Sequence, residues 1–133
     1  MTEQPIQLPR HLVNQILHLA QLSPDHDIAG LVGAKDGLAR SCHLVKRTGS
    51  TLDPRERDQA LKAIRSQGET LMAVLHSHPA APAEPLASDL HCRDFPEALR
   101  LIISLNTKGV LELRGFRIDE NLAVREIALL LTE

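Results

Sequence analysis

The sequence predicts an α/β domain in which a mixed β-sheet is flanked by helices. Short apolar runs of strand length alternate with amphipathic runs of helical periodicity, and clusters of turn-forming residues separate them. The chain has 133 residues, of which 43% are hydrophobic and 24% charged, as expected for one folded domain over residues 1–133. The predicted order of elements is α-β-β-α-β-α-β-β-β, so we expect a layered arrangement with helices packed on the sheet.

A helix and a hairpin are predicted at the N-terminal end. The helix begins at Pro9, carries apolar residues along one face and ends at Ser23-Pro24-Asp25. A strand is predicted over residues 28–32, which form a short apolar run, and its hairpin partner over residues 38–46, because Lys35-Asp36-Gly37 between them is a turn sequence. We therefore expect an antiparallel pair of strands directly after the first helix.

A second helix and a central strand follow. Asp53 is a good N-cap, Pro54 suits the first helical position, and Glu56 completes a capping box. Gly68 ends this helix, because glycine readily adopts the left-handed conformation at a helix C-terminus. The apolar run after it predicts a buried strand over residues 70–76.

The C-terminal part is predicted to contain a proline-rich loop and three strands. Prolines stiffen the loop over residues 78–87, and a short helix after it carries Asp89 near its start. The apolar runs at residues 99–105, 110–118 and 122–131 predict the remaining strands.

Composition excludes several classes of protein. With a net charge of −2 the chain has no basic stripe, so nucleic acid is not expected as a partner. The apolar runs are shorter than a membrane span, and the N-terminal residues do not resemble a signal peptide. Cys42 and Cys92 are too few for a disulfide scaffold. We expect a cytoplasmic protein that does not act on a membrane.

The most informative residues are His76-Ser77-His78-Pro79, at the end of the predicted central strand. Residues i and i+2 of a strand face the same side, so His76 and His78 project together, and Pro79 ends the strand. Asp89 follows at a distance that allows it to join them. Two imidazoles and one carboxylate suit Zn²⁺, and three protein ligands leave a fourth position open for chemistry. A pair of histidines that binds no metal is the alternative.

This motif resembles that of the JAMM (MPN-type) zinc metallopeptidases, the family of the deubiquitinating subunits of the proteasome lid and signalosome. The family pattern is a Glu near the first strand, then His-x-His-Pro, a Ser that seven residues separate from the second His, and an Asp three positions beyond that Ser. His76, His78 and Asp89 match this spacing, and residues 27–33 are similar to the family segment Glu-x-Cys-Gly-Leu-Leu-Gly. The resemblance implies a cytidine-deaminase-like layered architecture and a bound Zn²⁺ with these three residues as ligands.

The first departure from the family pattern lies at the general base. Aligning Gly30 with the family glycine puts Asp27 where the family has its catalytic Glu. Asp keeps the charge, but one fewer methylene shortens its reach by about 1.5 Å, which predicts a lower rate. A shift of one residue places His26 there instead, and an imidazole also acts as a base. Asp27 is the preferred assignment.

The second departure is Leu86, which occupies the position of the family serine. In the family, that hydroxyl stabilises the tetrahedral intermediate. Leucine has no donor, and removing one oxyanion donor typically lowers the rate by about 10²–10³. Ser88 lies nearby but is expected to point to a different side of a helical turn.

The resemblance implies a zinc-dependent metallopeptidase or isopeptidase. Residues 53–56, 101–105 and 113–117 are similar to those of the compact bacterial branch, whose members process ubiquitin-like sulfur carriers. The expected partner is therefore a ubiquitin-like or sulfur-carrier protein with a C-terminal Gly-Gly tail. The alternative is a catalytically weak or inactive zinc-binding scaffold for protein–protein interaction, with a homodimer as one assembly. A zinc nucleoside deaminase is not supported, because the chain has no Cys-x-x-Cys ligand pair.

Overall fold

A six-stranded mixed sheet forms the centre of the computed structural model, which describes residues 5–22, 26–48, 51–85, 94–105 and 112–132. Its strands lie in the order β3-β2-β6-β7-β8-β9, and two further pairs, β1 with β10 and β4 with β5, lie outside it. In chain order the elements are β1 (Ile6–Pro9), α1 (Arg10–Gln21), β2 (Ala29–Lys35), β3 (Leu38–Leu44), β4 (Arg47–Thr48), β5 (Thr51–Leu52), α2 (Pro54–Ser66), β6 (Thr70–His78), β7 (Leu99–Ser104), β8 (Glu112–Ile118), β9 (Val124–Ile127) and β10 (Leu129–Thr132). The predicted fold class, a mixed sheet flanked by helices, is confirmed.

The two helices pack on opposite faces of the sheet. Side chains alternate along each strand, so Ala73 and Leu75 of β6 face α1 whereas Val74 faces α2. The α1 face is the larger core, and its members from the sheet include Leu99 and Leu101 of β7. The α2 face is only partly covered by its helix. Elsewhere in the sheet, Ala83 of the loop after β6 packs against Ile102 and Phe116.

Both helices begin close to the predicted positions. Arg10 starts α1 directly after Pro9, and Asp53 caps α2 by accepting a hydrogen bond from the Glu56 backbone N–H at 3.0 Å. Gly68 follows α2 with a φ of +73°, the left-handed conformation that glycine allows. The predicted capping box is only half formed, because Glu56 Oε1 accepts instead from the Lys46 backbone N–H at 2.9 Å. Glu56 thus ties the start of α2 to the segment after β3.

The strands differ from the prediction in several places, and β2 runs to Lys35, three residues beyond its predicted end. The two-residue strands β4 and β5 and the strand β1 were not predicted, and the predicted strand over residues 122–131 is two strands. β9 stays in the main sheet against β8, while β10 leaves it and pairs with β1 in parallel. The central strand extends to His78, two residues beyond the prediction. The predicted short helix carrying Asp89 lies outside the described residues.

None of the helices in the described part of the chain is long and apolar enough to cross a membrane.

Candidate metal centre

His76 and His78 lie at the carboxyl end of β6 and face the same side of the sheet. Their exposed fractions are 0% and 3%, so both imidazoles are buried. They share this face with Val74, which packs against the α2 layer. Pro79 follows immediately after the strand, where its missing N–H leaves no gap in the ladder. The fold therefore brings the two histidines side by side in a site shielded from bulk water.

The loop after β6 holds the His78 ring in one orientation. His78 Nδ1 donates to the Pro82 carbonyl oxygen at 2.9 Å, since a carbonyl can only accept. The same loop is fixed to β7 by a hydrogen bond from Ser104 Oγ to the Ala81 carbonyl oxygen at 2.6 Å. Ala83 is buried against Ile102 and Phe116 of the sheet. These contacts hold residues 79–85 as a wall beside the histidines.

Ser77, between the two histidines, fastens β6 to the segment that carries the candidate base. Its side chain is buried on the opposite face of the strand. Ser77 Oγ accepts from the Ile28 backbone N–H at 2.6 Å, and the Ser77 N–H donates to the Ile28 carbonyl oxygen at 2.9 Å. The ladder continues with Ala29 opposite His76. Asp27 is consequently held next to the carboxyl end of β6.

Arg47 connects Asp27 with His76. Its Nη2 forms an ion pair with Asp27 Oδ2, and its Nη1 lies 2.7 Å from His76 Nδ1. The Arg47 side chain is 11% exposed, whereas that of Asp27 is 49% exposed. The guanidinium therefore lies inside the site, and the Asp27 carboxylate lies at its mouth. Neither the motif nor the residue spacing predicted Arg47 as a site residue.

Of the remaining predicted site residues, one lies at the surface and two lie outside the described residues. His26, the rival to Asp27 as base, is exposed. Asp89 and Leu86 lie outside the described residues, so their predicted roles as metal ligand and serine replacement stay predictions. No group of three metal-ligating side chains occurs among the residues that the structure does describe.

The sequence itself matches a known family over most of its length. Residues 9–116, which include both histidines and Asp27, match the family described as prokaryotic homologs of the JAB domain. This chain belongs to the prokaryotic JAB family. The family includes zinc metalloisopeptidases and inactive scaffolds. No functionally curated protein matches the sequence.

Solved structures show the same JAB fold. A protein from Desulfitobacterium hafniense has a TM-score of 0.79 at 27% identity, covering 96% of this chain and 92% of that one. A JAB1/MPN domain protein from Archaeoglobus fulgidus has a TM-score of 0.65 at 16% identity, covering 98% and 100%. A third structure, described as a JAMM metalloprotease-like zinc site in the proteasome and signalosome, has a TM-score of 0.62 at 14% identity, also covering 98% and 100%.

The donor chemistry of this JAB domain fits zinc at His78. With Nδ1 protonated and bonded to the Pro82 carbonyl, the neutral ring keeps its lone pair on Nε2. Metal-ligating histidines commonly make this backbone hydrogen bond through the second nitrogen, because it fixes the tautomer and orients the ring. His76 has suitable burial and position, but its Nδ1 contacts a guanidinium.

A second polar network lies beside the site and was not predicted. Asp94 accepts hydrogen bonds from the Leu52 backbone N–H at 3.0 Å and from Arg57 Nη1 at 3.2 Å. Arg100, buried within β7, donates from Nη2 to the Asp94 carbonyl oxygen at 2.9 Å. Together they fix the chain at Asp94, the first described residue after the segment that contains Asp89. The arginine in an otherwise apolar run was the one sequence signal for this buried network.

Arg114 on β8 also contacts the wall formed by residues 79–85. Its Nε and Nη2 lie 3.0 and 2.5 Å from the two carboxylate oxygens of Glu126. These hydrogen bonds raise the pKa of Arg114 and lower the pKa of Glu126. The guanidinium also lies 5.3 Å from the centre of the Phe116 ring and 3.6 Å from Glu84 Oε1. Glu84 belongs to the wall formed by residues 79–85, so Arg114 links that wall to the sheet.

Proposed function

We propose that this JAB domain is a zinc-dependent metallopeptidase or isopeptidase that hydrolyses an amide bond, with Zn²⁺ held by His76, His78 and Asp89. The observation that supports this most strongly is the hydrogen bond from His78 Nδ1 to the Pro82 carbonyl, because it presents Nε2 as a ligand atom in a buried site. When bound, Zn²⁺ supplies a Lewis acid that polarises the scissile carbonyl and acidifies water.

Asp27 is the general base in this proposal. Its carboxylate is half exposed at the mouth of the site, where solvent and substrate reach it. It takes a proton from the attacking water and passes that proton to the leaving amine. The Ser77–Ile28 pair of hydrogen bonds holds the Asp27 backbone beside β6. Since Asp is shorter than Glu, we expect turnover to be slow, as a misplacement of about 1 Å can lower a rate about 10²-fold.

We propose that the substrate is the C-terminal Gly-Gly tail of a ubiquitin-like or sulfur-carrier protein. The resemblance of the sequence to compact bacterial members of the family supports this class. Burial supports it as well, because His76 and His78 are enclosed by a loop and by the sheet. A scissile bond preceded by two glycines has no side chains on that side to clash with such walls, so it reaches the histidines more easily than a bulky peptide.

A zinc-binding scaffold without turnover is the second candidate. It is favoured by the ion pair between Arg47 and Asp27, because the guanidinium occupies a carboxylate oxygen that a general base would need for the attacking water. In this alternative the chain binds Zn²⁺ and a partner protein but does not hydrolyse an amide bond.

Zinc content and cleavage separate these candidates. The purified protein is expected to hold one zinc per chain, and His78→Ala to lose it, whereas the exposed His11→Ala retains it as a matched control. Cleavage is measured on a fusion joined to the Gly-Gly tail of a sulfur-carrier protein. The peptidase proposal expects slow cleavage that increases in the double variant Asp27→Glu/Leu86→Ser. Stoichiometric zinc with no cleavage in either protein establishes the scaffold, and zinc unaffected by His78→Ala refutes the site.

A further inference from the structure

We infer that Arg47 is a latch on the proposed zinc site: in the zinc-free protein its guanidinium holds His76 in a tautomer that cannot bind a metal. Zinc and the guanidinium then compete for the same histidine. The inference rests on the proposed function for its metal, but the tautomer that it assigns to His76 belongs to the zinc-free protein and is measured without metal.

The contact between Arg47 and His76 fixes where the ring proton lies. A guanidinium has five N–H donors and no acceptor, and it stays protonated in proteins. Because Arg47 Nη1 lies 2.7 Å from His76 Nδ1, the guanidinium donates and Nδ1 accepts. In a neutral imidazole the proton must then be on Nε2. A ring in this state offers zinc neither nitrogen: Nδ1 is engaged by Arg47, and Nε2 is protonated.

His78 is held in the opposite tautomer. Its Nδ1 faces a carbonyl oxygen, which can only accept, so Nδ1 carries the proton and Nε2 carries the lone pair. Two histidines that lie two residues apart on one strand are thus assigned different tautomers by their neighbours. The tautomer of His78 has its lone pair on Nε2, whereas that of His76 changes only when Arg47 releases Nδ1.

The backbone around Arg47 keeps its side chain within reach of the site. Arg47 pairs with Leu52 in the short β4–β5 ladder, and the Val45 N–H donates to the Ala29 carbonyl oxygen at 2.9 Å. Ala29 in turn lies opposite His76. The Arg47 side chain is only 11% exposed, so its guanidinium is mostly shielded from water. Charge-assisted hydrogen bonds are stronger in such an environment than in water.

One movement of the Arg47 side chain therefore releases two candidate functional groups. The guanidinium engages Asp27 and His76 together, so turning it outward releases both the candidate base and a candidate ligand. The apparent zinc affinity is reduced by the fraction of molecules in the latched state, because only the released state accepts the metal. Removing the guanidinium should tighten zinc binding at least about tenfold, since a strong latch leaves under a tenth of molecules competent.

The tautomers are tested in the zinc-free protein by the ¹⁵N chemical shifts of the imidazole nitrogens, at a pH where the rings are neutral. Wild type is expected to show His76 protonated on Nε2 and His78 on Nδ1. Arg47→Gln is expected to change the His76 pattern and to leave that of His78 unchanged as an internal control. Lys46→Gln removes the same charge one residue away and should alter neither ring. Finding His76 protonated on Nδ1 in the wild type overturns the latch.

Zinc affinity is then measured by competition with a chromogenic chelator. The dissociation constant of Arg47→Gln is expected to fall at least about tenfold below that of the wild type. Lys46→Gln reports how much of any change comes from the loss of charge alone. If Arg47→Gln and Lys46→Gln bind zinc with equal affinity, the proposed competition between zinc and the Arg47 guanidinium for His76 is refuted.

The two proposals fail in different ways. If neither the wild type nor Arg47→Gln binds zinc, the proposed function is wrong, whatever the imidazole shifts show. If both bind it with the same affinity through His78, the metal site stands and the latch is refuted.

Discussion

Removing the Ser77 hydroxyl should destabilise the protein by breaking the hydrogen bond that joins β6 to the segment before β2. In Ser77→Ala the Ile28 backbone N–H loses the acceptor that lies 2.6 Å away, while the reverse bond from the Ser77 N–H to the Ile28 carbonyl oxygen remains. Leaving a buried donor unsatisfied costs about 1–3 kcal/mol. Because Ile28 is half-buried, we expect the lower part of that range, about 1–2 kcal/mol. The vacated volume is that of one oxygen atom, so cavity formation adds little.

Urea unfolding at equilibrium measures this loss. With a denaturant dependence of about 1–1.5 kcal/mol per molar urea, the midpoint should fall by about 1 M at an unchanged slope. Ser66→Ala is the matched control, because its hydroxyl also makes a hydrogen bond, to the Ala63 carbonyl at 2.9 Å, but on the exposed end of α2. That variant should change the free energy of unfolding by less than about 0.5 kcal/mol.

Hydrogen exchange of the Ile28 amide checks the mechanism independently of global stability. Under native conditions this amide should be protected in the wild type and lose its protection in Ser77→Ala, while amides in the centre of β6 stay protected. If the midpoint of Ser77→Ala shifts no more than that of Ser66→Ala and the Ile28 amide stays protected, the structural reasoning about Ser77 is wrong.

Three further predictions concern stability and thiol chemistry. Gly33→Ala should destabilise by about 1–3 kcal/mol in urea unfolding, since an added Cβ would lie 2.4 Å from Glu69 Oε1 and 3.1 Å from Ile64 Cγ1; an unchanged midpoint contradicts this close approach. Glu69 is buried and accepts a hydrogen bond from Ser41 Oγ, so moving it aside breaks that bond. Asp53→Ala should lower the stability by about 1 kcal/mol through loss of the α2 cap, and Asp53→Asn should recover most of it. Burial raises the pKa of the Cys42 thiol to about 12, so at pH 8 a folded Cys92→Ser variant should react with a thiol reagent about 10³-fold more slowly than the same chain in urea. Because the folded thiol has the higher pKa, stability should fall as the pH rises from about 9 to 12, and labelling that is equally fast in both states refutes the burial.

Elements with local signals could be predicted from the sequence. The start of α2 depends on Asp53 and Pro54, which act within one helical turn, and the structure has the helix where they place it. The hairpin turn is similar: Asp36 and Gly37 adopt φ values of +54° and +79°, which their residue types allow. These features needed no knowledge of the remaining chain.

Elements that depend on distant partners could not be predicted. β4 and β5 have two residues each, too few for any periodicity to appear. The break between β9 and β10 is a change of partner, from β8 to β1, within a run that looks continuously strand-like. Nothing in the local sequence says where that exchange occurs, because the new partner, β1, lies more than a hundred residues away in the sequence.

The candidate site shows the same division. The paired histidines follow from strand alternation and from their spacing, and the fold places them together. Arg47 gave no signal, because it stands in a short polar segment and its partners Asp27 and His76 are far away in sequence. Its role depends entirely on tertiary contacts, which leave no pattern in the local sequence.

The parallel pairing of β1 with β10 has a consequence for how the chain folds. Ile6 and Leu129 lie side by side, although nearly the whole chain separates them. Such a contact forms late, because the entropy of closing so long a loop must be overcome before the pairing stabilises anything. Leu129 also packs against the α1 side of the core. During synthesis this layer stays incomplete until β10 has left the ribosome, so its apolar surface is open to association with other nascent chains until then.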